Sequence, residues 1–361
     1  MRYQLIPYTL HFKFKAGTSR GYLTQKTSYF IVLTDEQGRR GIGEAAPVPK
    51  LSPDDTPALP AQAHALLKAL CRTSFDSLSA ALEWLAQHCP PNFPSLRFGV
   101  ETALRSLWSK HPFILFDMPF VHGQQGIPIN GLVWMGDLDF MQKQIEEKLQ
   151  QGFRCIKMKI GALEVEKELG LLRELRQRFP ADALTLRVDA NGAFGAEEVM
   201  PVLEALAALE VHSIEQPIRP GQWDAMAHLC EVSPVAIALD EELIGIHTKE
   251  EKTRLLKHIR PPYIILKPGL VGGLQAADEW IQAAKLTGTG WWATSALEAN
   301  VGLNAISQWT ATFAPALPQG LGTGQLYHNN VPLPLSIANG HLYAHFERHA
   351  SIDFDAWFNK A

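Results

Sequence analysis

Between residues 157 and 267 the chain places five charged residues at nearly equal intervals: Lys159, Asp189, Glu215, Asp240 and Lys267. Subtracting positions gives gaps of 30, 26, 25 and 27 residues. Each charge stands where a short β-branched or apolar run turns polar, as in Ile156-Lys157-Met158-Lys159-Ile160 and Leu184-Thr185-Leu186-Arg187-Val188-Asp189. The same holds at Val211–Glu215, Ala236–Asp240 and Tyr263–Lys267. A period of that length is one strand, one helix and two loops. A charge at the end of each strand is the arrangement of a (β/α)₈ active site, where reactive groups gather at the C-terminal mouth. Three carboxylates between two lysines suggest a divalent metal flanked by two amines.

The period extends both ways. A step back from Lys159 reaches Trp134, after an expected strand Ile127–Val133; steps forward from Lys267 reach Thr294 and then Leu321. Eight markers favour an α/β fold of the (β/α)₈ (TIM-like) type over an open doubly wound sheet. The 361 residues exceed a single barrel of roughly 250. The surplus lies mostly at the amino end, where strand-like Arg2–Lys15, Ser28–Leu33 and Gly41–Glu44 form a meander turning at Gln37-Gly38. Helical patterns follow at 61–71, 76–88 and 97–110. The expected organisation is an α+β capping domain over 1–118, a barrel over 119–330, and a segment 331–361 returning to the cap.

Composition narrows the classes. An apolar fraction of 46% supplies a large core, while a net charge of −4 without Lys/Arg clusters speaks against a nucleic-acid partner. No apolar run approaches the ~18 residues of a membrane span, and the amino terminus lacks the apolar core of a signal peptide. Cys71, Cys89, Cys155 and Cys230 are scattered, which suits reduced, mostly buried thiols in a cytoplasm. The expected partner is a small-molecule carboxylate; whether the chain forms a homo-oligomer is open.

Lys-x-Lys, Asp-x-Asn, Glu-Gln-Pro, Asp-Glu and Lys-Pro-Gly, in this order on successive strands, resemble the muconate-lactonizing subgroup of the enolase superfamily. The resemblance spans essentially the whole chain and implies a cap built from both termini. Within the subgroup, three stretches are most similar to the o-succinylbenzoate synthases: Ile129–Gly136, Thr294–Ala305 and Gln319–Gly324. Dipeptide epimerases of the subgroup carry Asp-x-Asp on the eighth strand to hold an ammonium. Leu321-Gly322-Thr323 has no carboxylate there, which counts against an α-ammonium substrate.

The chemistry follows from the residue types. Removing a proton alpha to a carboxylate makes an enediolate, whose charge a hard divalent cation stabilises without proton transfer. Asp189, Glu215 and Asp240 are three oxygen donors suited to Mg²⁺, with Mn²⁺ as a substitute; without His or Cys among them, zinc is disfavoured. A lysine must be neutral to act as base, and burial, a second ammonium or a metal ion lower its pKa. Lys157 and Lys159 point to one face of their strand. Lys159, nearer the end, is the expected base, with Lys157 tuning it, in agreement with the resembling family. Lys267, across the barrel, is either an acid/base for the other face or an electrostatic partner.

Softer candidates complete the reading. Asn191 either orients a metal ligand or contacts substrate, or simply turns the chain with Gly192; Glu241 supports Asp240. Trp134 faces substrate or belongs to the core. Ser295 and Glu298 contact substrate or cap a helix. The loop Thr18–Tyr22 is the expected lid, with Arg20 meeting a succinyl carboxylate or having no such duty. The glycines of 269–273 and 320–324 are expected to let substrate approach. The activity implied is that of a hydro-lyase taking 2-succinyl-6-hydroxy-2,4-cyclohexadiene-1-carboxylate to 2-succinylbenzoate in menaquinone biosynthesis. The alternatives are N-acylamino-acid racemisation, muconate-type cycloisomerisation, and a catalytically silent metal-binding barrel.

Overall fold

The computed structural model describes residues 1–18, 21–161 and 164–348. The amino end forms an antiparallel sheet of β1 (Arg2–Thr18), β2 (Gly21–Thr34) and β3 (Arg40–Ala45), followed by helices α1 (Leu59–Leu70), α2 (Leu78–His88) and α3 (Pro94–Trp108). The meander and the three helices match expectation, though β2 begins seven residues before Ser28. The turn runs through Gly38 at φ 81°, a conformation glycine adopts without a Cβ penalty.

Strand β2 is buried on both faces because it lies between two layers. Ile31 and Leu33 pack with Leu67, Leu85 and Leu104 of the helices, whereas Phe30 and Val32 join the core of the second unit. Helix α3 approaches β3 so closely that a Cβ on Gly43 would lie 2.0 Å from the Gly99 carbonyl oxygen.

The second unit alternates strand and helix. β4 (Ile127–Pro128) and β5 (Gly131–Val133) precede α4 (Leu138–Gln150), β6 (Cys155–Lys159), α5 (Val165–Arg178), β7 (Thr185–Asp189), α6 (Met200–Ala208) and β8 (Ser213–Glu215). Then come α7 (Trp223–Val232), β9 (Ala236–Leu239), α8 (Lys249–Ile259), β10 (Tyr263–Leu266), α9 (Pro268–Val271), α10 (Leu274–Thr287), β11 (Gly290–Ala293) and α11 (Asn300–Ala311). Strands β5 to β11 form one seven-stranded parallel sheet in sequence order. Parallel strands covered by crossover helices are apolar throughout, which is why their inward charges stand out in the sequence.

Two expectations are corrected. The strand foreseen over 127–133 is divided: β4 pairs with β13 (His341–Ala344), which pairs with β12 (Leu335–Ala338), and only β5 joins the parallel sheet. The eighth marker carries no regular strand among the described residues. Instead Gln319 makes a parallel bridge to Ile129 and Gly320 one to Thr294, so this short segment touches both ends of the curled sheet. Contact with β1 comes just before residue 331: Lys13 N donates to Leu326 O at 2.9 Å, and His328 N to His11 O at 2.9 Å. No helix among the described residues is long and apolar enough to cross a membrane.

Candidate active site

The five periodic charges meet at one end of the parallel sheet. Lys159, Asp189 and Glu215 are the last residues of β6, β7 and β8, while Asp240 and Lys267 follow β9 and β10 directly. In-register pairing puts Lys159 beside Asp189 and Asp189 beside Glu215. Lys157, two residues earlier on β6, reaches the same cluster, as period-two geometry requires.

The side chains alternate in sign. Lys159 Nζ donates to Asp189 Oδ2 at 3.0 Å; Lys157 Nζ lies 3.0 Å from the same oxygen and also donates to Glu215. Lys267 donates to Asp240 and stands 3.6 Å from Glu215 Oε1. All six are buried or nearly so. Three ammoniums face three carboxylates, but the penalty of burial falls unevenly among them. Burial works to raise Asp189, but Lys157, Lys159 and Lys267 bring it well below the usual carboxylate range. Glu215 is pushed up to about 7 by burial and by Asp189, and Asp240 is raised by burial.

Lys157 and Lys267 are both held above the ordinary lysine range. Burial lowers both Lys157 and Lys267, but the carboxylates outweigh it: Asp189 and Glu215 raise Lys157, and Asp240 and Glu215 raise Lys267. Opposite charges at hydrogen-bond distance dominate here over like charge and desolvation.

The donor set suits a hard divalent cation. Among the described residues no three carboxylate, histidine or cysteine side chains lie close enough together, as they stand, to hold an ion. The reason is visible: Lys157 bridges Asp189 and Glu215, and Lys267 stands between Glu215 and Asp240, so ammonium groups take the cation's place. Glu215 Oε1, fully buried, accepts no hydrogen bond. Three oxygen ligands on consecutive strands, neutralised by stand-in cations and retaining an unused lone pair, fit such an ion.

Beside the cluster lies a cavity of about 580 Å³ lined by Lys157, Lys159, Asp189, Asn191 and Lys267 on its charged side. Phe14, Trp134, Phe140 and Leu297 give it apolar surface. Trp134 is at once a buried core residue and part of the cavity lining, its ring centre 5.8 Å from Lys159 Nζ. Asn191 likewise does two things. It turns the chain at φ 45°, and its Oδ1 accepts from Lys159 at 2.7 Å while its Nδ2 donates to Glu241 Oε1 at 3.1 Å. Ser295 lines the cavity. Glu298, foreseen beside it, does not: it is 0% exposed and accepts from Ser295 Oγ at 2.6 Å. Arg20 lies outside the described residues, as does part of the expected lid. The hairpin there ends near the cavity, with Gly17 bridged to Met135.

Glycine placement also needs correction. Gly320 and Gly322 line the cavity as expected, but the cluster 269–273 serves packing. A Cβ on Gly273 would lie 2.2 Å from Glu101 Oε2, the carboxylate that accepts from Leu274 N at the start of α10.

Sequence reasoning missed several residues. Gln216, at φ 41°, accepts at Oε1 from Asp240 N (3.1 Å) and donates from Nε2 to Glu242 (3.1 Å), while its carbonyl accepts from Gly192 N. It thereby joins the loops that carry all three carboxylates; its only trace was the middle letter of Glu-Gln-Pro. Phe14 and Lys13 reach the cavity where the β1–β2 register shifts between His11 and Ala16, a bulge that re-aims side chains and leaves no mark on the alternation. Asn130, Thr294 and Thr323 also line the cavity, although their side-chain oxygens Oδ1, Oγ1 and Oγ1 are themselves buried and without hydrogen-bond partners.

Comparison with known proteins gives the family. Residues 141–347 match the family described as Enolase C-terminal domain-like. An o-succinylbenzoate synthase of Desulfotalea psychrophila is 44% identical over 353 residues, covering 92% of this chain and 95% of that protein. The crystal structure of MenC from the same organism superposes with a TM-score of 0.85 at 42% identity, covering 95% of this chain and 99% of that one. The muconate lactonizing enzyme of Pseudomonas fluorescens gives 0.79 at 21% identity, covering 95% and 93%; this is a likeness of fold alone. Fold, strand-end charges and sequence therefore lead to one assignment: the chain belongs to the enolase superfamily, in the family built on the enolase C-terminal-like domain.

Proposed function

We propose that this protein is a hydro-lyase of menaquinone biosynthesis that converts 2-succinyl-6-hydroxy-2,4-cyclohexadiene-1-carboxylate to 2-succinylbenzoate and water. The observation that carries this reading is the 44% identity, end to end, to a protein named o-succinylbenzoate synthase. The chemistry of the cavity supports it: an apolar wall suits a six-membered ring, and lysines beside it suit a carboxylate.

In this reading Lys159, as the neutral amine, takes the proton alpha to the ring carboxylate. The protonated Lys159 then hands that proton to the hydroxyl leaving from the same face, so the C–H proton and the hydroxyl depart together as water and the ring becomes aromatic. Lys157 holds Asp189 and Glu215 in place beside it, and Lys267 offers positive charge toward the other ring face. Asn191 holds Lys159 at a fixed distance from Asp189. Asp189, Glu215 and Asp240 are the proposed ligands of Mg²⁺. When bound, the ion supplies positive charge where the carboxylate gains electrons and competes with the lysines for the ligand oxygens.

The finer architecture belongs to the same proposal. The curled sheet is a (β/α)₈ barrel whose eighth position is filled by residues around Gln319-Gly320, capped by 1–118 and by the segment after 330. We place the enzyme in the cytoplasm, in accord with its four free thiols.

The test is direct. Purified protein with Mg²⁺ is given the cyclohexadiene carboxylate and loss of its absorbance is followed, with Lys159→Ala as control. Metal-dependent turnover that the substitution abolishes supports both reaction and base. No turnover, with deuterium exchange at the alpha carbon of N-succinyl amino acids, would replace the reading by racemisation on the lysine pair. Silence with both substrates would leave a metal-binding barrel.

A further inference from the structure

The wall of the cavity formed by residues 295–297 is held from the other unit of the protein. Leu297 has φ 65°, a left-handed conformation that a branched side chain adopts only under constraint. Its side chain packs near Val48 and Leu51, in the segment after β3, and lines the cavity. Its carbonyl oxygen accepts two hydrogen bonds, from Lys26 Nζ of β2 at 2.9 Å and from Tyr327 Oη at 2.7 Å. On the other side of the peptide unit, Leu297 N donates to Ser295 Oγ at 3.1 Å, and Ser295 Oγ donates to Glu298.

A second tie runs alongside. The capping position before helix α11 is Ala299, which has no side chain able to fill that role. The cap comes from the amino-terminal unit instead. Glu44 of β3 accepts from Ala299 N at 2.8 Å and Gly302 N at 2.9 Å, and from Ser28 Oγ at 2.7 Å. Lys26, Glu44 and Glu298 are all buried, and Glu44 and Glu298 are the foremost of the opposite charges acting on Lys26, ahead of Asp55 and Asp54. The two glycines beside them leave room for nothing else. A Cβ on Gly302 would meet Glu298 Cβ at 2.7 Å, and one on Gly269, two residues after Lys267, would meet Glu298 Oε1 at 2.6 Å. None of these three charged groups touches the cavity except through the residues it holds.

We infer that Lys26, Glu44 and Glu298 are positioning residues: through them the amino-terminal unit sets the conformation of Leu297 and so the shape of the substrate wall. The inference rests on the proposed function for its substrate but not for its geometry. Removing a charged donor from a constrained carbonyl weakens the conformation it holds by roughly tenfold in population.

Two variants test this, Lys26→Met and the charge-balanced Lys26→Met/Glu298→Gln, which keeps the net charge of the buried triad should the first fail to fold. In both, amide exchange over residues 295–302 should accelerate about tenfold over wild type, with exchange in α1 and α2 unchanged. KM for the cyclohexadiene carboxylate should rise by about tenfold, while kcat changes less than about twofold. Wild-type exchange and KM in the charge-balanced variant would overturn the inference, as would exchange accelerated uniformly over the whole chain. Accelerated local exchange in a protein whose wild type does not turn over that substrate would uphold the positioning role and overturn the proposed reaction.

Discussion

Asn191 concentrates the residue-scale argument, because its side chain meets Lys159 and Glu241 while its backbone N–H donates to Asp189 Oδ1. Asn191→Gly keeps the left-handed backbone and removes only the side chain. It should lower kcat/KM roughly 10–100-fold, the usual effect of losing a group that orients a ligand or base; a steady-state assay with an unchanged melting temperature checks it. His212 makes a separate prediction. Burial, and after it the nearby Arg187, bring it down to about 4. Below its unfolded value of about 6.5, the unfolded chain then binds a proton that the folded protein refuses. Stability from this group is complete above about pH 6.5 and is lost as pH falls toward 4. Melting temperature against pH should flatten in that window in His212→Asn, and an unchanged slope would exonerate the residue. At this scale the five strand-end charges were legible because each interrupts an apolar run. The two readings of Glu298, substrate contact or helix cap, stayed open in the sequence because a carboxylate facing the cavity and one facing away are spelled alike.

At the scale of elements, the β3–α3 contact is the tightest in the capping unit. Gly43→Ala would drive a Cβ into the Gly99 carbonyl and the Ala103 amide, both backbone, and should destabilise by about 3 kcal/mol or more. Gly170, inside α5, has open space where an alanine methyl would stand, with nothing within 4 Å, so Gly170→Ala should stabilise by up to about 1 kcal/mol. Denaturant titrations of the pair measure both signs; equal effects would refute the packing argument. Helices α1 to α3 and strands β6 to β10 were readable from periodicity. The division of 127–133 between two sheets was not, since β4 is set by pairing with residues more than 200 positions away. The start of α10 was equally hidden, because its first amides are satisfied by Glu101 from another helix.

For the whole molecule, the alternating line of three lysines and three carboxylates couples metal binding to stability. Mg²⁺ at about a hundredfold excess over its dissociation constant should add about 2.7 kcal/mol, read as a rise in melting temperature. Asp240→Asn should lose most of that rise, and a wild type indifferent to Mg²⁺ would argue against the proposed ligands. The strand–helix order, the five charges and their common end of the sheet can be read along the chain, because period and alternation are local properties. Which charges pair, that Gln216 ties the three carboxylate loops together, and that a lysine and a glutamate of the amino-terminal unit hold the wall of a cavity in the other emerge only on folding. Those contacts join residues up to 271 positions apart, and no local pattern encodes a partner that folding alone brings near.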